Sequence, residues 1–260
     1  MLKILKYSFY DLMRSRWSYV YFLFYLLLGM VLLFLNNDLS KAVITLMNVI
    51  IVLVPLIGTI FGVMYFYNSR EFTELLLAQP IRRRSIFLGQ YFGVATSLAL
   101  SLIVGLGLPF VFYGLFNSNV IWDFSLLLIA GAFLTYIFTA LAFVIALANE
   151  NRIKGFGYAI LLWLFLAVIY DGIFLISLVY FDDYPLEKFS LIATLLNPVD
   201  LSRTLILLKL DISALLGYTG AVFRKFFGTN IGLVMSFLML TLWVVIPVFF
   251  IWKISRKKDF

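Results

Sequence analysis

Arg70-Glu71-Phe72-Thr73-Glu74-Leu75-Leu76-Leu77-Ala78-Gln79-Pro80-Ile81-Arg82-Arg83-Arg84 is the longest strongly polar interruption in the first two-thirds of a very apolar chain. Hydrophobic helices are expected on both sides of it. Helical spacing puts Phe72, Leu75 and Leu76 on one face and Glu71, Glu74 and Ala78 on another, the pattern of a short amphipathic helix. Such a helix is too short and too charged to cross a membrane. Pro80 disfavours helix at Gln79, so the helix is expected to stop there. Arg82, Arg83 and Arg84 stand just before the next apolar run, where they would anchor this side at an anionic, cytoplasmic membrane surface. One reading makes the stretch a basic loop that only sets topology. The other makes it a docking helix for a cytoplasmic partner.

The rest of the chain dictates a membrane environment. It is 64% hydrophobic and 13% charged, with mean hydropathy +1.07, more apolar surface than a soluble core of 260 residues needs. The expected fold is an all-α polytopic membrane protein. Six runs approach or exceed the roughly 20 residues needed to span hydrocarbon. They cover roughly 17–36, 43–68, 86–116, 122–148, 156–181 and 231–252, to within a few residues. Trp17 and Trp252 fall at one interface and Trp122 at the other. With the N-terminus inside, 14 of the 20 Lys and Arg residues fall on inner segments, which makes both termini cytoplasmic. The net charge of +7 is therefore a topology signal, and nucleic acid is not an expected partner.

Residues 1–16 carry Lys3, Lys6, Arg14 and Arg16 among Leu2, Leu5, Phe9 and Leu12 at helical spacing. This reads as an interfacial amphipathic helix or a plain charged tail. It does not read as a signal peptide, because the apolar run that follows is too long and no small-x-small cleavage site follows it. The third span is interrupted by Gly105-Leu106-Gly107-Leu108-Pro109, where a kink or tilt is expected, and Pro55 and Pro247 threaten bends in the second and sixth spans. Gly58-x-x-x-Gly62 and Gly89-x-x-x-Gly93 permit close helix approach and offer weak support for a dimer interface. Residues 149–155 form a second short cytoplasmic loop. Residues 182–230 are the largest extramembrane piece, with two short interfacial or re-entrant helices expected on the outer side.

Glu74-Leu75-Leu76-Leu77-Ala78-Gln79-Pro80-Ile81-x-Arg83 followed by Gly89-Gln90 resembles the first cytoplasmic loop of ABC-2 type transporter permeases, and the Leu-Leu-Ala-Gln-Pro version is most similar to the Nos-type permeases of the nitrous-oxide-reductase maturation transporter. The outer run Leu196-Asn197-Pro198-Val199-Asp200, Arg203 and Leu216 to Phe223 resembles the same group. The resemblance implies that residues 69–85 are a coupling loop seated in a groove of a cytoplasmic ATPase, through Glu71, Phe72, Glu74, Leu75, Leu76 and Gln79. Glu150 and Arg152 would add contacts from the second loop. Asn197, Asp200 and Arg203 would meet a periplasmic partner. It further implies an ABC-2, type V-like permease in a bacterial inner membrane, working as a homodimer with two ATPase copies.

The chain has no cysteine and no histidine, which removes thiolate sites, the commonest general base and the commonest transition-metal ligand. No catalytic residues, metal ligands or cofactor are expected in this chain. It contains no phosphate-binding Gly-x-x-x-x-Gly-Lys-Ser/Thr loop, so ATP and Mg2+ would sit on a separate polypeptide. Met235 and Met239 lie four apart, a spacing that suits packing or a soft-metal site. Apart from Asp123 at the very start of the fourth run, Asp171 is the one acidic residue inside an expected span; it reads as a polar translocation site or as an outer-end residue meeting water or a partner helix. Three functions remain open: an ABC permease for copper-enzyme maturation, a generic ABC-2 exporter of a lipid, peptide or antibiotic, and a membrane-embedded enzyme. A channel without nucleotide coupling would leave the amphipathic loop unexplained.

Overall fold

A computed structural model describes residues 1–36, 38–181, 187–209 and 230–256, and among these all regular structure is helical. In chain order the helices are α1 (Leu2–Arg14), α2 (Arg16–Asn36), α3 (Leu39–Asn68), α4 (Arg70–Leu77), α5 (Arg83–Phe112), α6 (Ile121–Ala148), α7 (Arg152–Leu164), α8 (Tyr170–Tyr180), α9 (Glu187–Leu195), α10 (Pro198–Lys209) and α11 (Asn230–Ile254). A π turn at Phe165–Ile169 joins α7 to α8 into one span. Six spans result: Arg16–Asn36, Leu39–Asn68, Arg83–Phe112, Ile121–Ala148, Arg152–Tyr180 and Gly232–Ile254, each within a few residues of its expected limits.

Local chemistry sets several boundaries. Asp38 caps α3 by accepting from Ser40 N at 2.9 Å, and Asn151 caps α7 by accepting from Ile153 N and Lys154 N. Gly114 follows α5 at φ 92°, a backbone state that favours glycine. At 30 residues each, α3 and α5 reach ~45 Å, longer than the ~30 Å of hydrocarbon. Their surplus length carries α4, which joins them, out of the apolar layer. The expected interruption at Gly105 to Pro109 does not end α5, which is helical through it.

Between membrane helices lipid is as apolar as leucine, so association rests on close packing rather than on excluding water. Small residues make it possible here. A Cβ on Gly62 would lie 2.8 Å from Ala142 Cβ, and Gly58 faces Thr139 and Thr135, so α3 and α6 meet at the centre of the fold. Gly105 takes α2 against α5, since a Cβ there would lie 2.9 Å from Tyr25 Cβ. Gly89 and Gly93 seat α1: Cβ atoms there would meet Ile4 at 3.0 Å and Ser8 at 2.7 Å. Both Gly-x-x-x-Gly pairs, weighed above as dimer contacts, are thus occupied within one chain. Large rings fill the remaining space, Phe110 stacking on Phe124 at 4.3 Å and Phe66 meeting Phe143 edge-on at 5.8 Å.

The N-terminal segment is a helix, but its buried stripe is Ile4, Ser8 and Leu12, while Leu2 is 81% exposed. The glycines beneath admit the small Ser8 where a scale of apolarity prefers Leu5 and Phe9. The outer segment contains α9 and α10, which bend by 110° about the break between them, as a re-entrant pair or broken span does. The stretch Ile212 to Phe227, including the Leu216 to Phe223 run, lies outside the described residues.

Gly93→Ala is expected to cost ~1–3 kcal/mol, because its Cβ meets α1 backbone as well as Ser8. Gly107→Ala, with nothing within 4 Å, is expected to be nearly neutral. Thermal unfolding of both variants in detergent checks the contrast, and equal midpoints would count against the seating of α1.

Candidate functional site

The candidate site is the outer face of α4 and the corner that holds it. Ser69 precedes α4, and its carbonyl accepts from Thr73 Oγ1 at 2.8 Å. Thr73 is 2% exposed. Its hydroxyl oxygen in turn accepts from Gln90 Nε2 of α5 at 2.8 Å, a contact buried on both sides. A carboxamide buried in a span is costly unless it is paired, so this bond fixes how α4 sits on α5. Phe72 stacks on Tyr7 of α1 at 4.5 Å between centroids. The helix is therefore held from two directions.

What remains outward is the exposed face. Glu71, Glu74, Leu75 and Gln79 are exposed, with Leu75 67% accessible, and Leu76 is half-buried. Arg70 pairs with Glu74 at 3.0 Å, an exposed contact one helical turn apart that is worth only a few tenths of a kcal/mol. Phe72, expected on the docking face, is half-buried and turned to α1. The sequence reading gave Thr73 and Tyr7 no role. A hydroxyl at the inward position of an amphipathic helix, opposite Gln90 in the next span, was the available signal.

The second loop is tied to the same corner. Tyr67, one residue before the end of α3, donates to Asn149 O at 2.7 Å. It packs over Gly155, where any Cβ would collide with its hydroxyl, and stacks on Phe156 at 6.3 Å. Arg152 lies over the Phe156 ring at 5.7 Å. Glu150 and Arg152 are both exposed. Tyr67 thus brings residues 149–152 and α4 to neighbouring positions around the end of α3.

Arg82 and Arg83 are exposed and Arg84 is half-buried at the start of α5. The Arg84 guanidinium lies 4.2 Å over the Trp252 ring, and Arg256 lies 4.0 Å over the same ring. The α5 start is thereby joined to the end of α11.

A second polar cluster lies where α10 meets the fifth span. Asn197 is fully buried and uses its amide in three ways. It donates to Leu166 O within the π turn at 2.8 Å, donates to Asp200 Oδ2 at 2.8 Å, and accepts from Val199 N at 3.0 Å. The last contact opens α10, with Pro198 at its first helical position. Arg203 pairs with Asp171 at 2.8 Å and approaches Asp200 at 3.6 Å. Asp171 therefore meets a neighbouring helix, the second of the two readings above. Asn197 and Asp200, expected to face a periplasmic partner, are turned inward, with Asp200 7% exposed; Arg203 is partly accessible. Of the two methionines, Met239 packs against the core and Met235 faces outward.

No family model matches the chain. It is similar to a protein of Stutzerimonas stutzeri named a probable ABC transporter permease protein NosY, 28% identical over 134 residues, 50% of this chain and 49% of that relative. A protein of Pseudomonas aeruginosa with the same name is 28% identical over 149 residues, 54% of this chain and 53% of its own. The chain spans about half the length of the curated relatives it matches. With six apolar helices, the likeness describes a multi-pass inner-membrane protein resembling NosY permeases.

Thr73→Val keeps the size of the side chain and removes the acceptor for Gln90, leaving a buried amide unpaired at ~1–3 kcal/mol. Faster hydrogen exchange confined to α4 is the expected result, and unaltered protection would show that the bond does not hold it. Asn197→Ala orphans the Leu166 carbonyl and the Val199 amide together. It is expected to lower the thermal midpoint, and Asn197→Asp, which keeps the acceptor for Val199 but sets a second carboxylate against Asp200, is expected to lower it at least as much at neutral pH. An unchanged midpoint in Asn197→Ala would show that these bonds do not hold the break.

Proposed function

We propose that this chain is the permease subunit of an ABC transporter, with α4 as the coupling helix that receives a separate cytoplasmic ATPase carrying ATP and Mg2+. The observation that carries this reading is the division of α4 into two sides. Thr73 and Phe72 are committed to α5 and α1, while Glu71, Glu74, Leu75 and Gln79 are exposed among the described residues. A linker that only reverses the chain needs no such lock. A docking element needs one, because a push on an unfixed helix is absorbed by the helix itself. Glu150 and Arg152, tied in through Tyr67, supply an adjoining second contact.

The distribution of Lys and Arg supports a cytoplasmic position for this end. Six spans are half the usual complement of such transporters, so the working unit is a homodimer with two ATPase copies. The fifth and sixth spans are largely exposed within the chain and provide lipid-facing or copy-facing surface. The chain takes no chemical step itself; hydrolysis belongs to the ATPase and the permease converts it into movement. The likeness of both the α4 loop and the outer run to Nos-type permeases favours a role in maturing the copper sites of nitrous oxide reductase, with a periplasmic partner receiving what is moved. A generic exporter of a lipid, peptide or antibiotic would use the same coupling loop.

Affinity purification from native membranes, with mass spectrometry of the associated proteins, tests this reading. An ATPase with a periplasmic partner and copper-handling proteins supports copper-site maturation, whereas an ATPase alone favours the generic exporter. Glu71→Arg with Glu74→Arg reverses the exposed charge of α4 and is expected to weaken ATPase binding about tenfold or more while membrane insertion is unchanged. Undiminished ATPase affinity in that variant would remove α4 from the coupling role.

A further inference from the structure

The three arginines between α4 and α5 do more than mark a membrane face. Arg82, Arg83, Arg84 and Leu88 line one side of a half-open pocket of about 680 Å3, and Trp252 and Arg256 line the other. No carboxylate lines it among the described residues. Arg84 and Arg256 both rest on the Trp252 ring, at 4.2 and 4.0 Å, and Arg84 feels the like charges of Arg256 and Arg82. Guanidiniums gathered this closely repel one another, more strongly beside hydrocarbon than in open water. The indole face holds them in place without cancelling their charge. The result is an assembled cationic site built from the start of α5 and the end of α11.

We infer that this pocket binds the phosphate of an anionic phospholipid. Planar guanidiniums match phosphate oxygens in pairs, and an aromatic platform fixes their planes in advance. Basic pockets between membrane helices at this level suit acidic headgroups. Leu88 carries the lining one turn further along α5, toward the apolar layer where the acyl chains would run. The inference uses only the membrane-spanning fold and stands whether or not the chain couples to an ATPase. It differs from a general anchoring role, which needs net charge alone. A built site needs Arg84, Trp252 and Arg256 together.

Free phosphate shares this chemistry, so the test separates the two sources. The full chain, purified and stripped of lipid in detergent, is titrated with phosphatidylglycerol or with phosphatidylcholine of the same chains and followed by native mass spectrometry. Selective retention of phosphatidylglycerol is expected. Arg84→Gln with Arg256→Gln is expected to weaken it about tenfold or more. Arg14→Gln, a charge loss outside the pocket, should leave it unchanged. Arg256→Lys keeps the charge and loses the planar fork, so a drop of a few-fold there supports the site even where the double variant does not fold. Equal retention of both lipids, unchanged binding in the pocket variants, or the same loss in Arg14→Gln would overturn the proposal. Displacement of the lipid by millimolar inorganic phosphate would reassign the pocket to a free anion.

Discussion

One buried amide orders the α4 end of this molecule. Gln90 lies within a span, is fully buried, and donates to Thr73 Oγ1. Its Oε1 finds no partner among the described residues, and its Nε2 group, shielded from water, needs one in the protein. Thr73 supplies it only when α4 lies against α5 with its hydroxyl inward. The neighbouring Gly89 and, one turn on, Gly93 open the surface of α5 to α1. From there Tyr7 reaches Phe72. The position of α4 therefore follows from one polar residue and two glycines within a single turn or so of α5.

The same constraint acts at the other polar cluster. A π turn disturbs the regular pairing of helix backbone, and irregular backbone at this depth is tolerated where protein covers it. Asn197, at the break between α9 and α10, covers it by donating to Leu166 O. The bend of the re-entrant pair and the irregular turn of the fifth span thus satisfy each other. Trp243 adds a donor to Leu195 O at 3.3 Å, and Tyr170 one to Ala193 O at 2.7 Å, closing the end of α9.

Much of this architecture was legible in the sequence. The six spans were, because length and apolarity alone specify them. The amphipathic stretch from Arg70 was, because charge interrupted an otherwise apolar chain. The rest depends on shape, which composition does not record. Leu5 and Phe9 outrank Ser8 on any apolar scale, yet Ser8 fits over Gly93. Gly58, Gly62, Gly89 and Gly93 signalled close approach correctly but not which helix approaches. Asn197 and Asp200 look like loop residues until α10 folds back onto the fifth span. Nothing in Phe165-Leu166-Ala167-Val168-Ile169 separates a π turn from an α turn, and the partner that meets its Leu166 carbonyl, Asn197, lies 31 residues away in the chain. Arg256 and Trp252 join Arg84 only when the end of α11 packs against the start of α5.

Several cations at the α4 end rest on aromatic rings, whereas the arginine of the second polar cluster is held by carboxylates. At the α4 end, Arg84 and Arg256 rest on Trp252, Arg152 on Phe156 and Lys6 over Tyr10. An aromatic face holds a cation in place and leaves its charge intact, whereas a carboxylate would cancel it. The positive charge of these four groups is thus left in place rather than cancelled by the ring that holds each. In the second polar cluster Arg203 is held by Asp171 and approached by Asp200, three partly or wholly covered groups of mixed sign. There the arginine is only partly accessible and its charge is balanced by carboxylates within the protein. The net charge of +7 is consequently not a uniform property of the chain. At the α4 end aromatic faces hold Arg84, Arg256, Arg152 and Lys6 while Arg70 pairs with Glu74, and in the second polar cluster carboxylates hold Arg203, so the choice of aromatic or acidic partner decides where positive charge stays expressed.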